Sequence, residues 1–218
     1  CRSGSGRKIE REQRVAAAYH EAGHALVQSI LEDADPVEKI TIIPRGRAMG
    51  ATLALPEKDR YSYGRKYLEA TLRALCGGRI AEARKTDDIS SGAEDDIRKA
   101  TTLARKMVLE WGMSSRLGFV RYGDDDQRER WVPEREWSEE TASQVDEEVR
   151  QLVGEAYGDV ESLIDEHWYC LTTIAEALLK YETLTAEDLE RLVRGESVAK
   201  PTAEEKMAAE NEEETVAP

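Results

Sequence analysis

Residues 15–30 read V-A-A-A-Y-H-E-A-G-H-A-L-V-Q-S-I. Val15, Ala18, Tyr19, Ala22, Leu26 and Ile30 recur at spacings of three and four, which predicts an amphipathic helix from about Ile9 to Glu32. Asp35-Pro36 then breaks it, because the residue before a proline is pushed out of the helical region. A helix this apolar needs partners on its inner side, and most of the remaining chain repeats the same pattern. The stretch 63–83 carries Leu68, Leu72 and Leu75. The stretch from Ser91 carries Ile97, Ala100, Leu103, Ala104, Met107, Val108 and Trp111 up to Gly112, with Ser91 and Glu94 spaced as a capping box. A long run from Ser138 to Tyr181 places apolar residues from Val145 to Leu178 with a gap at 167, as one helix or a pair broken near Gly158. A short helix follows from Thr185, with Leu184 and Leu189 spaced as a hydrophobic staple.

Only one region reads otherwise. Residues 37–44, V-E-K-I-T-I-I-P, are β-branched and strand-like; R-G-R-A-M-G and then A-T-L-A-L-P follow, ending at Pro56. The expected fold is therefore mainly α, with a small β-hairpin or edge-strand element. Residues 1–8 read as linker, 9–198 as one domain, and the Ala/Glu-rich stretch 199–218 as a disordered acidic tail. The pair Gly77-Gly78 inside a helical pattern costs about 1 kcal/mol per Gly relative to Ala. Either close backbone packing or a plain helix break accounts for it.

Composition narrows the function. The 218 residues carry 31 basic and 45 acidic side chains, a net charge of −14, which repels phosphate backbones and anionic lipid. Nucleic acid and membrane-surface partners are thereby disfavoured, and no run of 18 apolar residues is present to span a bilayer. No signal peptide is visible, and the Cys-R-S-G-S-G start has the look of a cut linker. Three cysteines without a C-x-x-C pair argue against a disulfide framework; Cys76 and Cys170 read as small core residues, which fits a reducing compartment.

Within the first helix, residues 20–24 are H-E-A-G-H. Residues i and i+4 of a helix stand one above the other, so His20 and His24 present two imidazoles to one point. Imidazole is a good zinc ligand, and Glu21, one residue round, reaches a metal-activated water as general base without taking a ligand position. In that chemistry the glutamate takes the water's proton and passes it to the leaving amine. The competing reading is two surface histidines beside a solvated glutamate. Against it, the motif uses two of only three histidines in the chain, and Gly23 is costly in a helix interior unless something packs closely there.

A catalytic zinc needs a third protein ligand. The extended form H-E-x-x-H-x-x-G-x-x-H is excluded by Val27 and Ile30. His167 falls in the apolar seam of the long helical run and reads as a packing histidine. Glu69 and Glu82 stand in no recognisable setting. Asp95 and Asp96 fall near the start of a helix, where the dipole favours carboxylates in any case. Asp96 is in register with Ala100, Leu103 and Met107 on the inward side, where a carboxylate needs a partner.

The segments H-E-A-G-H-A-L-V, K-I-T-I-I-P-R-G-R-A-M-G, G-G-R-I-A-E, S-S-G-A-E-D-D-I-R-K-A-T, W-G-M-S-x-x-L-G and A-E-A-L-L-K-Y-E-T-L, in that order over residues 9–194, resemble the peptidase domain of FtsH-type proteases. The resemblance implies His20, His24 and Asp96 as zinc ligands, with Glu21 as base. It also implies a homo-hexameric ring, unfolded polypeptide substrates lying along the strand near Thr41–Leu55, and a cytoplasmic location at the membrane face. It further implies an ATPase module in the same chain. No G-x-x-x-x-G-K-[ST] loop stands in these 218 residues, so that module is expected upstream or in trans. Asp95 replaces the family's usual Asn, and A-R-K-T-D replaces a more apolar stretch after G-G-R-I-A-E. The alternative to an active peptidase is a catalytically idle scaffold that keeps the fold.

Overall fold

The structure, a computed structural model, describes residues 3–44, 50–54, 62–122, 137–202 and 205. Among them run α1 (Ser3–Ile30), β1 (Val37–Thr41), β2 (Ala51–Ala54), α2 (Arg65–Thr86), a 3-10 turn (Ser91–Ala93) and α3 (Glu94–Leu109). There follow α4 (Glu139–Glu166), α5 (Trp168–Tyr181), β3 (Thr183–Thr185) and α6 (Ala186–Val193). The mainly α expectation with a small β element holds. The first helix starts at Ser3 and so runs through most of the stretch read as linker.

Helix α1 is the centre of the molecule. It packs on α2, α5 and the sheet, and is buried without a break from Glu21 to Val27. Periodicity showed one apolar face; the structure covers the others too, which Ala22, Gly23 and Ala25 permit by their size. The closest crossing is with α2. A Cβ on Gly23 would stand 2.2 Å from the Gly77 carbonyl oxygen, and one on Gly77 would stand 2.6 Å from that of Gly23. Any side chain there drives the helices apart, so the glycines serve backbone contact. Helix α2 accordingly runs straight through Gly77-Gly78.

The sheet is antiparallel with order β2-β1-β3, pairing Ile40 with Thr52 on one side and with Leu184 on the other. The expected β1–β2 hairpin is present, its connecting residues 45–49 lying outside the described ones. Strand β3 is an addition: three residues are too few to show a period. Its pairing is reinforced by a 2.9 Å contact between the Thr41 and Thr183 hydroxyls.

Two further helix boundaries differ from expectation. Ahead of α3 the serine cap is Ser90 rather than Ser91, and it caps the 3-10 turn, Ser90 Oγ accepting from Gly92 N at 3.0 Å, while α3 itself starts after Ala93 without a side-chain cap. The extended backbone that a cap needs is found at Ser90, and a 3-10 turn fills the next three positions, so Ser91 and Glu94 make no capping box. Ile97 and Trp111 turn outward, leaving Ala100, Ala104, Met107 and Val108 buried. The long run breaks at His167, not at Gly158, which stays within α4. There α4 turns off its packing on α2 and α3, and α5 leads back along α1.

The Thr185 cap of α6 is found as expected, with Asp188 completing a capping box and Leu184 and Leu189 both buried. Beyond α6 the chain stays anchored further than expected. Tyr181 donates to the Val198 carbonyl at 2.8 Å, and Lys200 donates to the Thr183 carbonyl at 2.8 Å while pairing with Asp188. Most of the stretch 203–218 lies outside the described residues. Cys76 is buried and its thiol is pushed up to about 11 by burial and the nearby Asp96 charge, while Cys170 is half-buried.

Candidate metal centre and active site

Four elements converge on one point. Helix α1 supplies His20, Glu21 and His24, and its crossing with α2 sets what lies beneath them. The second α2 glycine, Gly78, lies against the histidines: a Cβ there would stand 2.4 Å from His24 Nε2 and 2.7 Å from His20 Nε2. The bare backbone of Gly78 is thus the floor on which both imidazole edges rest. The first turn of α3 brings Asp96 in from the side.

Asp96 Oδ2 lies 3.2 Å from His20 Nε2 and 3.3 Å from His24 Nε2, and the two Nε2 atoms are 3.1 Å apart. Their outer nitrogens are engaged elsewhere. His24 Nδ1 donates to the Ala74 carbonyl at 2.7 Å, and His20 Nδ1 donates to Glu82 Oε2 at 3.2 Å. With the Nδ1 protons so placed, neutral rings turn two lone pairs and a carboxylate oxygen toward each other. Three acceptors at van der Waals range are stable only around a proton or a cation. The pKa shifts carry the same tension. Burial opposes charge on His20, but the hydrogen bonds to Asp96 and Glu82 and the charges of Glu21 and Asp96 outweigh it, and the imidazole is pushed up to about 9. Burial likewise works against the Asp96 carboxylate, yet hydrogen bonds to both histidines hold it well below the usual range. A tetrahedral zinc with bonds of ~2.0–2.1 Å spaces its ligand atoms about 3.3–3.4 Å apart, so this donor set fits the ion with adjustments of tenths of an ångström. Among the described residues it is the one group of three or more His, Cys, Asp or Glu placed to hold a metal.

The other candidates are disposed of by where they point. Asp95 is exposed and pairs with Arg98 and with Lys99 at 2.7 Å. Glu69 pairs with Arg65 at 2.6 Å. His167 sits between α4 and α5, outside the metal group. Glu82 belongs to the site in another role: one oxygen orients His20 and the other accepts from Ser90, so it fixes the ring rather than facing the metal position. Burial disfavours its charged form, but His20, Ser90 and Arg79 outweigh that and lower its pKa.

Glu21 is 7% exposed and belongs to a different wall. Its Oε2 accepts from Thr52 Oγ1 of β2 at 2.7 Å, and Gly50 lies against its side chain. Nothing in the sequence marked Thr52, Ser90 or Gly50 for this place. Gly78 had a signal, the cost of a helical glycine, but not a reason.

The profile of peptidase family M41 matches residues 7–192. This chain belongs to that family. It is an FtsH-type peptidase domain: it is 43% identical over 208 residues to the ATP-dependent zinc metalloprotease FtsH 2 of Methylacidiphilum infernorum, covering 93% of this chain and 32% of that protein. It is 44% identical over 191 residues to the ATP-dependent zinc metalloprotease FtsH of Rubrobacter xylanophilus, covering 86% of this chain and 29% of the relative. The figures for the FtsH of Acidobacterium capsulatum are 44% over 191 residues, 86% and 30%. The M41 chain thus spans about a third of the length of these relatives. No helix among its described residues is long and apolar enough to cross a membrane.

Proposed function

We propose that this chain is a zinc-dependent endopeptidase that hydrolyses peptide bonds in unfolded polypeptides, the proteolytic module of an ATP-dependent protease. The observation that carries the reading is the meeting of His20, His24 and Asp96, from two helices, at ligand spacing with Glu21 on the same turn of α1. His20, His24 and Asp96 would hold the ion, and Ala74, Glu82 and Ser90 keep the rings aimed. Bound zinc supplies a Lewis acid that polarises the scissile carbonyl and lowers the pKa of water to about 7.

The chain's own residues do the rest. Glu21 accepts the proton of the attacking water and returns it to the leaving amine, which neutralises the amine as the C–N bond breaks. Among the described residues strand β2 is an edge of the sheet, next to Glu21, and an extended peptide added there lies beside the base. The relatives' names support an ATP-driven partner, upstream or in trans, and the family resemblance supports a homo-hexamer and a cytoplasmic location.

The test is zinc stoichiometry and casein-peptide hydrolysis, on wild type, Asp96→Ala and Glu21→Gln. One zinc per chain with chelator-sensitive cleavage is expected. Asp96→Ala should lose both, and Glu21→Gln should lose cleavage while keeping zinc. A wild type without zinc would sink the reading. Zinc without cleavage would favour the idle scaffold, or a domain that works only in its ring.

A further inference from the structure

We propose that Thr52 is a positioning residue for the general base, fixing the orientation of the Glu21 carboxylate; this rests on the peptidase reading above. The Glu21 carboxylate is almost wholly buried, and among the described residues the Thr52 hydroxyl is its one hydrogen-bond donor, at 2.7 Å on Oε2. A hydroxyl has a single proton. It is committed to the carboxylate, since the Glu21 carbonyl oxygen lies at 3.4 Å from the same Oγ1. Oε2 is thereby fixed, and with it the plane of the carboxylate.

The other side of the carboxylate is closed by backbone. A Cβ on Gly50, two residues before Thr52, would stand 2.7 Å from both Cγ and Oε1 of Glu21 and 2.8 Å from the Thr41 carbonyl oxygen. The base is thus held between a hydroxyl and a bare glycine, both contributed by the chain leading into and along β2. Thr52 is β-branched, so few χ1 rotamers are open to it and the hydroxyl stays aimed. The placement also couples two functions. The strand that stands at the edge of the sheet among the described residues, where a peptide would pair, is the strand that sets the base. A peptide that pairs with β2 and steadies it steadies Glu21 as well. Binding of that kind is expressed in kcat rather than in KM.

The experiment compares wild type, Thr52→Val and Thr52→Ser with a fluorogenic peptide long enough to span β2. It adds zinc content, thermal stability and the affinity of a peptidyl hydroxamate measured by direct binding. Thr52→Val should keep one zinc and bind substrate with KM within about twofold, while kcat falls on the order of tenfold, a part of the ~10²–10⁴ that a general base contributes. Thr52→Ser, which keeps the hydroxyl, should recover most of the rate. Hydroxamate affinity should fall in Thr52→Val alone. Equal kcat in wild type and Thr52→Val, or equal impairment of the Val and Ser variants, would overturn the proposal. If Glu21→Gln retains cleavage, the assignment of the base fails instead. If the wild type cleaves nothing, hydroxamate binding still decides: unchanged affinity in Thr52→Val overturns it.

Discussion

Two buried glutamates, Glu82 and Glu148, make nearly the same local arrangement and do different work. Each is buried, and each accepts a hydrogen bond from a serine hydroxyl, Ser90 for Glu82 and Ser114 for Glu148 at 2.6 Å. The second oxygen separates them. In Glu82 it faces His20 Nδ1 at 3.2 Å and orients a ring of the metal group. In Glu148 the other oxygen lies 3.7 Å from the Arg116 guanidinium, at the foot of a turn. Ser114 there also accepts from the amides of Arg116 and Leu117 at 3.2 and 3.1 Å, beside the small cluster of Val108, Leu117 and Val145. A buried carboxylate therefore does not mark a site by itself. What its second oxygen faces decides whether it tunes chemistry or ties α4 to the chain after α3.

The comparison can be broken in four ways, the largest effect first. His20 is raised from 6.5 to about 9 in the metal-free chain, so at neutral pH it carries a proton that zinc must displace. Apparent zinc affinity should fall about tenfold per pH unit below about 9, some hundredfold from pH 8 to 6, by one-proton linkage. Calorimetry in buffers of different ionisation enthalpy would count the released proton. The metal-free fold responds with the opposite sign: a raised imidazole pKa stabilises it fully below 6.5, and that contribution is lost as the pH rises through about 9. Next, Glu82→Gln should weaken zinc binding by ~10–100-fold, as expected when the partner of a ligating histidine is altered. A competition titration with a chelator reads this, and unchanged affinity would reduce Glu82 to the rank of Glu148.

Third, Ser114→Ala should cost about 1–3 kcal/mol of stability, because two amides and a buried carboxylate lose their partner. Denaturant unfolding measures it. Zinc stoichiometry should not move, and a loss of zinc would show the two regions to be coupled. Fourth and smallest, Asp95→Ala should change zinc affinity and stability little, since its ion pairs with Arg98 and Lys99 are exposed. An effect as large as that of Asp96→Ala would move the third ligand by one residue.

Legibility followed the range of the interaction. Periodicity located α2 and α3 within a few residues and α1 except for its start, which lies six residues earlier at Ser3, and α6 was readable from its Thr185 cap because the cap's partners are three residues away. The serine that caps the turn leading into α3 is one residue from the expected one, since Ser90 and Ser91 have the same side chain and only backbone conformation tells them apart. The break at His167 was also hidden: a gap in the apolar seam fits a packed histidine as well as a helix junction. Strand β3 shows itself only through its pairing with β1.

The sequence by itself determined a mainly helical chain with His20 and His24 on one face of its first helix, Glu21 beside them, and Asp96 on the inward register of a later one. Each depends on spacing along its own helix, which the 3.6-residue repeat turns into geometry. Tertiary structure alone decided what surrounds them. Gly77 and Gly78 are costly residues until α1 and α2 cross, and then they are the contact and the floor of the site. Glu82, Ser90 and Thr52 are ordinary polar residues of other elements until the fold sets them at 2.7–3.2 Å or closer around the histidines and the base. Their partners lie 62, 8 and 31 positions away, and no local pattern reports a hydrogen bond that only packing creates.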